Sequence, residues 1–235
     1  MTEDVQVVVP SRLRFLLPLR DRSAGMRRLR YDPDATVGHL VQAAGVPLTE
    51  VGELRLDGVA TTAVARTAPG SRIEVTEAGR PQPVPAGGFL LDVGLGTLAR
   101  RLRLLGLDAA WSNDADDADL VARATAEDRV LLTQDRRLLM RRALPRGALV
   151  RGSRPDDQLA DLLDRFAPTL APLSRCTACG GALVPTPADE VAHLLKPGTR
   201  RSYADFARCR TCGRIYWHGA HHRRIEAMIA NATRR

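Results

Sequence analysis

The chain has 235 residues and no apolar run near the ~18 residues that a membrane helix requires, so no membrane association is expected. The start lacks a basic, apolar leader pattern, because Met1 to Asp4 carries acid instead. Collagen, coiled-coil and mucin-like compositions are absent. A cytoplasmic protein is the expectation. No P-loop is present, and Gly94-Leu95-Gly96 is too short for a dinucleotide fingerprint and reads as a tight turn. Residues 88–172 contain neither cysteine nor histidine, so Ser/His and Cys/His catalysis find no pair there. Lysine is nearly missing too, Lys196 being the only one. Compositional drift accounts for that as well as function does. What is present is 44% hydrophobic and 26% charged residues, a soluble globular balance that excludes wholesale disorder.

The net charge of +8 is unevenly placed. Residues 1–80 hold 11 basic and 10 acidic side chains, and residues 81–172 hold 13 of each. Residues 173–235 hold 11 basic and 4 acidic ones. A polyanion, foremost a nucleic acid, suits that basic end. A merely solvated surface is the equal alternative from charge alone.

Proline and glycine divide the chain. Glu77 to Gly88, EAGRPQPVPAGG, cannot sustain a helix or a central strand. A second break falls at Phe166 to Leu173, FAPTLAPL. The expected organisation is a domain over 1–78, a linker over 79–87, a domain over 88–172 and a basic unit over 173–235. In the first domain, strands are expected at Val5–Val9 and Leu13–Leu17. A helix should follow, capped by Thr36 and ended by Gly45, and then strands near Leu54–Leu56 and Ile73–Val75. That order is a small β-grasp, better suited to binding a protein partner than to chemistry. Sulfur-carrier chemistry is discounted, because Gly87-Gly88 is internal and runs straight into a strand.

The second domain alternates strand and helix. Phe89–Leu91, Ala109–Trp111, Arg129–Thr133 and Ala148–Val150 read as strands. Leu95, Leu98, Leu102 and Leu105 share one helical face, with Gly106 as the stop. Such alternation implies an α/β fold with a parallel sheet, whose ligand site lies at the carboxyl ends of the strands. Asp92 and Asp135 stand there, and Asp114, Asp116, Asp117 and Asp119 cluster after Trp111. Converging carboxylates repel and call for compensation. Mg²⁺ or Mn²⁺ supplies it and suits phosphodiester hydrolysis. The plainer reading is helix capping, which is favoured for Asp116 and Asp119 and open for Asp92 and Asp135.

All four cysteines lie near the end, as Cys176-Thr-Ala-Cys179 and Cys209-Arg-Thr-Cys212, each pair followed by glycine. Two CxxC knuckles make a closed Cys₄ site for structural Zn²⁺. Disulfides and a redox pair are the alternatives, and a cytoplasmic setting disfavours the first. The 29 residues between Cys179 and Cys209 imply an insertion. Beyond them runs Arg214-Ile-Tyr216-Trp217-His218-Gly-Ala-His221-His222-Arg223-Arg224. Aromatics beside arginines suit stacking on unpaired bases, although ribbon packing competes, most of all for Tyr216.

Several of these runs together resemble the Mut7-C ribonuclease family, a branch of the PIN-like nucleases. They are Phe89-Leu90-Leu91-Asp92, Leu95-Gly96, Leu98-Ala99-Arg100-Arg101-Leu102-Arg103-Leu104-Leu105-Gly106 and Arg129-Val130-Leu131-Leu132-Thr133-Gln134-Asp135-Arg136-Arg137-Leu138. The likeness continues through Gln158-Leu159 and Ser174-Arg175-Cys176 to Tyr216-Trp217, over roughly residues 88–225. The first domain resembles the ubiquitin-like domain joined to many members. The resemblance implies a PIN-like fold, a zinc ribbon and metal-dependent hydrolysis of RNA. It makes Asp92, Asp117 and Asp135 the metal-binding acids, with Asp116 competing with Asp117. A fourth acid is unassigned, Asp156 and Asp157 being weak candidates. Gln134 replaces an arginine common in the family, and Arg101 replaces a tryptophan. His221 matches a family position, whereas His218 and His222 depart from it. The competing function is a non-catalytic RNA-binding or adaptor protein whose β-grasp domain docks a partner.

Overall fold

The computed structural model describes residues 4–217, 226–227 and 229–230. The histidines and arginines singled out between His218 and Arg224 lie outside the described residues. Among the described residues no helix is long and apolar enough to cross a membrane. The chain packs as two compact units that are not collinear with it. The first comprises residues 1–80 and 133–149, and the second 81–132 and 150–235.

The β-grasp sheet is built from β1 (Val5–Val8), β2 (Met26–Leu29), β3 (Val51–Leu56), β4 (Val59–Thr61) and β5 (Arg72–Glu77), with helix α1 (Val37–Ala43) between β2 and β3. Its strand order is β2-β1-β5-β3-β4, with β1 and β5 parallel and the other pairs antiparallel. Alternation drives β1, because Val5 and Val7 face inward and are fully buried. Thr36 caps α1 by accepting from the His39 amide at 3.2 Å, as its position predicts. Gly45 closes the helix at φ +106°, a conformation that favours glycine.

Leu13–Leu17 is not the expected second strand. Residues Ser11–Leu16 form a 3₁₀ helix started at Pro10. Leu13, Leu16 and Leu17 are buried at helical spacing while Phe15 is exposed, so the periodicity was three rather than two. The second strand is instead β2, whose arginines hid its strand character.

In the middle of the chain lie β6 (Phe89–Leu91), α2 (Gly96–Leu104), β7 (Ala109–Trp111), α3 (Asp117–Ala126), β8 (Val130–Thr133), α4 (Arg136–Leu139), β9 (Gly147–Leu149) and α5 (Pro155–Phe166). They form a sheet of order β7-β6-β8-β9, in which β6 runs parallel to both β7 and β8. The central strands β6 and β8 are short, apolar and fully buried, as parallel strands covered on both faces must be. Of the basic run Arg136–Arg142, only Arg136–Leu139 is helical. The proline-rich stretch is anchored, since the Gln82 amide donates to the Arg165 carbonyl at 2.7 Å and Arg165 Nε donates back to Gln82 Oε1 at 2.8 Å. Gly87-Gly88 has a packing reason: a Cβ at Gly87 would collide with the Glu127 and Asp128 carbonyls, and one at Gly88 with Asp108.

The last part forms the antiparallel sheet β10 (Leu183–Thr186), β11 (Phe206–Cys209) and β12 (Ile215–Trp217), in that order. Two short helices, α6 (Ala188–Val191) and α7 (Pro197–Ser202), form the insertion between β10 and β11.

Candidate functional site

Asp92 directly follows β6. Its amide donates to the Leu132 carbonyl at 3.0 Å, and its Oδ1 accepts from the Val93 amide at 2.6 Å. This begins a 3₁₀ turn, Val93–Leu95, where the sequence reads as a tight turn. Trp111, the last residue of β7, holds that turn by donating from its indole to the Val93 carbonyl at 3.0 Å. The same ring lies where a Cβ on Gly96 would sit 2.6 Å from Cζ2, so only glycine fits there. By sequence pattern Trp111 is a strand residue alone. The register of β6 against β7, Leu91 opposite Trp111, is what turns it into a prop for Asp92.

Asp116 is the N-cap of α3, accepting from the Asp119 amide at 2.8 Å. That is the capping role its position favours, and it leaves Asp117 as the first residue of the helix. Asp114 is bonded by the Ser112 hydroxyl. Asp135 lies two residues beyond β8. Its amide donates to the buried Thr133 hydroxyl at 2.9 Å, and its Oδ1 caps α4 through the Arg137 amide at 2.7 Å. The weak fourth candidate, Asp156, is ion-paired with Arg101 at 2.5 Å. Arg101 thus has an acidic partner.

The acids therefore follow the carboxyl ends of β6, β7 and β8, with Asp92 and Asp135 committed locally as caps. Among the described residues the four cysteines are the only group of three or more metal-ligating side chains whose ligand atoms lie close enough to share an ion.

The cysteine site is closely built. All four Sγ atoms lie within 4.8 Å of one another, with Cys176 to Cys212 at 3.6 Å and Cys179 to Cys209 at 3.5 Å. Four thiolates at ~2.3 Å from Zn²⁺ in a tetrahedron require sulfur–sulfur edges of about 3.8 Å, so the donor set fits that ion. The Cys179 and Cys212 amides approach Cys176 and Cys209 sulfur at 3.5 Å. Gly180 and Gly213, at φ +83° and +72°, supply the knuckle turns. Tyr216 hydroxyl is 3.0 Å from Cys176 Sγ, which makes it a partner of the site. Burial pushes the Cys176 thiol up, but the Tyr216 hydroxyl and nearby amides outweigh it and bring the pKa down to about 6. Burial, together with the neighbouring thiols, drives Cys179 up to about 12. Trp217 keeps 40% exposure and so remains accessible for stacking.

Arg103 of α2 is 2% exposed, although its spacing sets it mostly off the face shared by Leu95, Leu98, Leu102 and Leu105. Its Nε donates to the Ala109 carbonyl at 2.7 Å, and one terminal nitrogen donates to the Ala178 and Thr177 carbonyls at 2.6 and 3.2 Å. It thus joins the loop between Cys176 and Cys179 to the start of β7. A second path runs from the Gly180 carbonyl to Arg175 (2.9 Å), to Asp108 (3.1 Å), to Arg129 (2.7 Å) and to the Phe89 carbonyl (3.1 Å). Both paths end at the amino ends of β6, β7 and β8, whereas the acids follow the carboxyl ends. With four cysteine donors and no open position, this metal site is suited to a structural role.

An N-terminal β-grasp sheet, a parallel α/β sheet with acids beyond its strands and a four-cysteine ribbon make up a modular chain. The chain belongs to the Mut7-C RNAse domain family, whose model matches residues 87–229. Residues 2–82 match the Mut7-C ubiquitin model. No curated protein and no solved structure matches the chain.

Proposed function

We propose that this protein is a metal-dependent endoribonuclease that hydrolyses RNA phosphodiester bonds, with Asp92, Asp117 and Asp135 holding Mg²⁺ or Mn²⁺ and Zn²⁺ held by the four cysteines. The observation that carries this reading is an acid after each of β6, β7 and β8 within the stretch that matches the family's RNAse model. Capping by Asp92 and Asp135 does not preclude it, because a carboxylate has about four lone-pair sites and a cap takes one. When bound, the divalent cation would lower the pKa of water and neutralise charge on the phosphate. The chain's own contribution is to hold the carboxylates: Trp111 fixes the turn after Asp92, and Thr133 fixes the backbone at Asp135. Trp217 and the arginines of the ribbon would guide unpaired RNA. The protein is taken to act in the cytoplasm.

The test is cleavage of labelled single-stranded and structured RNA with Mg²⁺ or Mn²⁺, with and without EDTA. Asp92→Asn should reduce the rate at least about 100-fold while it keeps an acceptor for the Val93 amide. Full activity in that variant removes the site assignment. The second reading, a non-catalytic RNA-binding adaptor, is favoured by the carboxylates' local capping. Salt-sensitive RNA binding without turnover under any divalent metal would establish it.

A further inference from the structure

The β-grasp unit contains no cysteine, and its described residues hold no group of metal-ligating side chains close enough to share an ion, yet residues 133–149 fold as part of it. Hydrogen bonds of different chemistry tie that segment to the β-grasp chain. Arg136 donates to the Leu16 carbonyl at 2.6 Å. Gln42 Nε2 of α1 donates to the Met140 carbonyl at 3.4 Å. Glu50, only 1% exposed, accepts from the Leu149 amide through Oε1 at 2.9 Å. A carboxylate buried so deeply is costly unless it is hydrogen-bonded, so this contact is built in rather than incidental. Leu138, Leu139 and Leu144 of the segment are buried as well. The anchors begin one residue after Asp135 and end at the last residue of β9. They come from three separate parts of the β-grasp chain: the 3₁₀ helix after β1, α1, and the 3₁₀ turn Leu48–Glu50.

We propose that the β-grasp domain is an intramolecular brace that positions the segment bearing Asp135, with Arg136, Gln42 and Glu50 as the positioning residues. Its consequence for cleavage rests on the nuclease reading above, but the bracing itself does not. The domain is then an integral part of the nuclease and not a carrier that works when detached. Without the brace, the segment that bears Asp135 would be less ordered, and the entropy of ordering it would have to be met at each encounter with metal and RNA.

The experiment uses the full chain and compares wild type with Gln42→Ala/Arg136→Ala, Glu50→Ala and Glu50→Gln. Hydrogen exchange is followed in peptides from 133–149 and from 89–132, and the RNA cleavage rate is resolved into kcat and KM. The double variant and Glu50→Ala should speed exchange in 133–149 at least about tenfold and leave 89–91 unchanged. They should lower kcat at least about tenfold with little change in KM, the mark of a misplaced group and not of lost substrate binding. Glu50→Gln, which retains an acceptor, should recover most of the protection. If Glu50→Ala fails to fold, the partly exposed Gln42/Arg136 pair still decides. Unchanged exchange in 133–149 overturns the proposal, as does faster exchange with kcat intact. If wild type cleaves no RNA, the nuclease reading fails while the exchange result still decides whether the brace exists.

Discussion

Arg103 donates a 2.6 Å hydrogen bond to the carbonyl of Ala178, in the two-residue gap between Cys176 and Cys179. Burial lowers its pKa, and the nearby Cys179 and Cys176, together with Asp108, oppose that shift. A Zn²⁺ held by four thiolates carries a net charge of −2, so a buried guanidinium beside the knuckle is its natural counterion. Arg103→Met should keep much of the packing and lose both the charge and the donors. Zinc release to a colorimetric chelator should then be about 10-fold easier or more. Retention of zinc equal to wild type would remove this role.

Zinc uptake should be coupled to proton release. The Cys176 thiol, at about 6, is already ionised at neutral pH, whereas Cys179, at about 12, is not. Binding must therefore displace at least the Cys179 proton, and apparent affinity should rise at least about tenfold per unit between pH 6.5 and 8. Competition titrations against a chelator of known pH dependence would measure it. In the metal-free fold, the depressed Cys176 thiol contributes stability above its ordinary value of 9.0, and that contribution is lost as pH falls through about 6. The raised Cys179 thiol works in the opposite sense: its contribution is complete below 9.0 and is lost as pH rises through about 12.

The adjacent acids at the start of α3 should separate stability from activity. Asp116→Ala removes the cap to the Asp119 amide and should cost about 1 kcal/mol in urea denaturation. Cleavage at saturating metal should survive in the folded fraction. Asp117→Asn should do the reverse, with a smaller stability loss and cleavage abolished. Equal loss of cleavage in both variants would leave their roles undivided.

Gly96 should tolerate no side chain. A methyl group there would meet the Trp111 ring at 2.6 Å, and that ring holds the Val93 carbonyl. Gly96→Ala should destabilise the protein by about 1–3 kcal/mol from overpacking. It should also weaken divalent-metal dependence by moving the turn after Asp92. Trp111→Phe loses the indole donor and the part of the ring that packs on Gly96, and should cost at least about 1 kcal/mol. Thermal and denaturant midpoints, read beside metal titrations of cleavage, check both.

Some features were legible locally. Thr36 and Gly45 bounded α1 because capping and left-handed turns are chemistry of neighbouring residues. The two CxxC pairs announced their cluster because each knuckle is a local turn and four soft donors have few other uses in one chain. The strands of the parallel sheet were visible as short apolar runs. Leu13–Leu17 was misread because a short apolar run carries both periods at once, and burial alone selected the 3₁₀ turn. The strand Met26–Leu29 was missed because pairing with Val5–Val8, not hydrophobicity, makes it a strand. Asp116 and Asp117 are chemically identical neighbours, and only the start of α3 told cap from first helical residue.

By itself the sequence determined the modules, the acids that follow the strands and the cysteine donors, since spacing and residue type dictate local turns, caps and ligands. Only the tertiary structure decided that Arg103 reaches the knuckle, that Trp111 holds the turn after Asp92, and that residues 133–149 fold with the β-grasp unit. Those are contacts between positions distant along the chain, where packing geometry and the demand that buried polar groups find partners, not local propensity, select the neighbour.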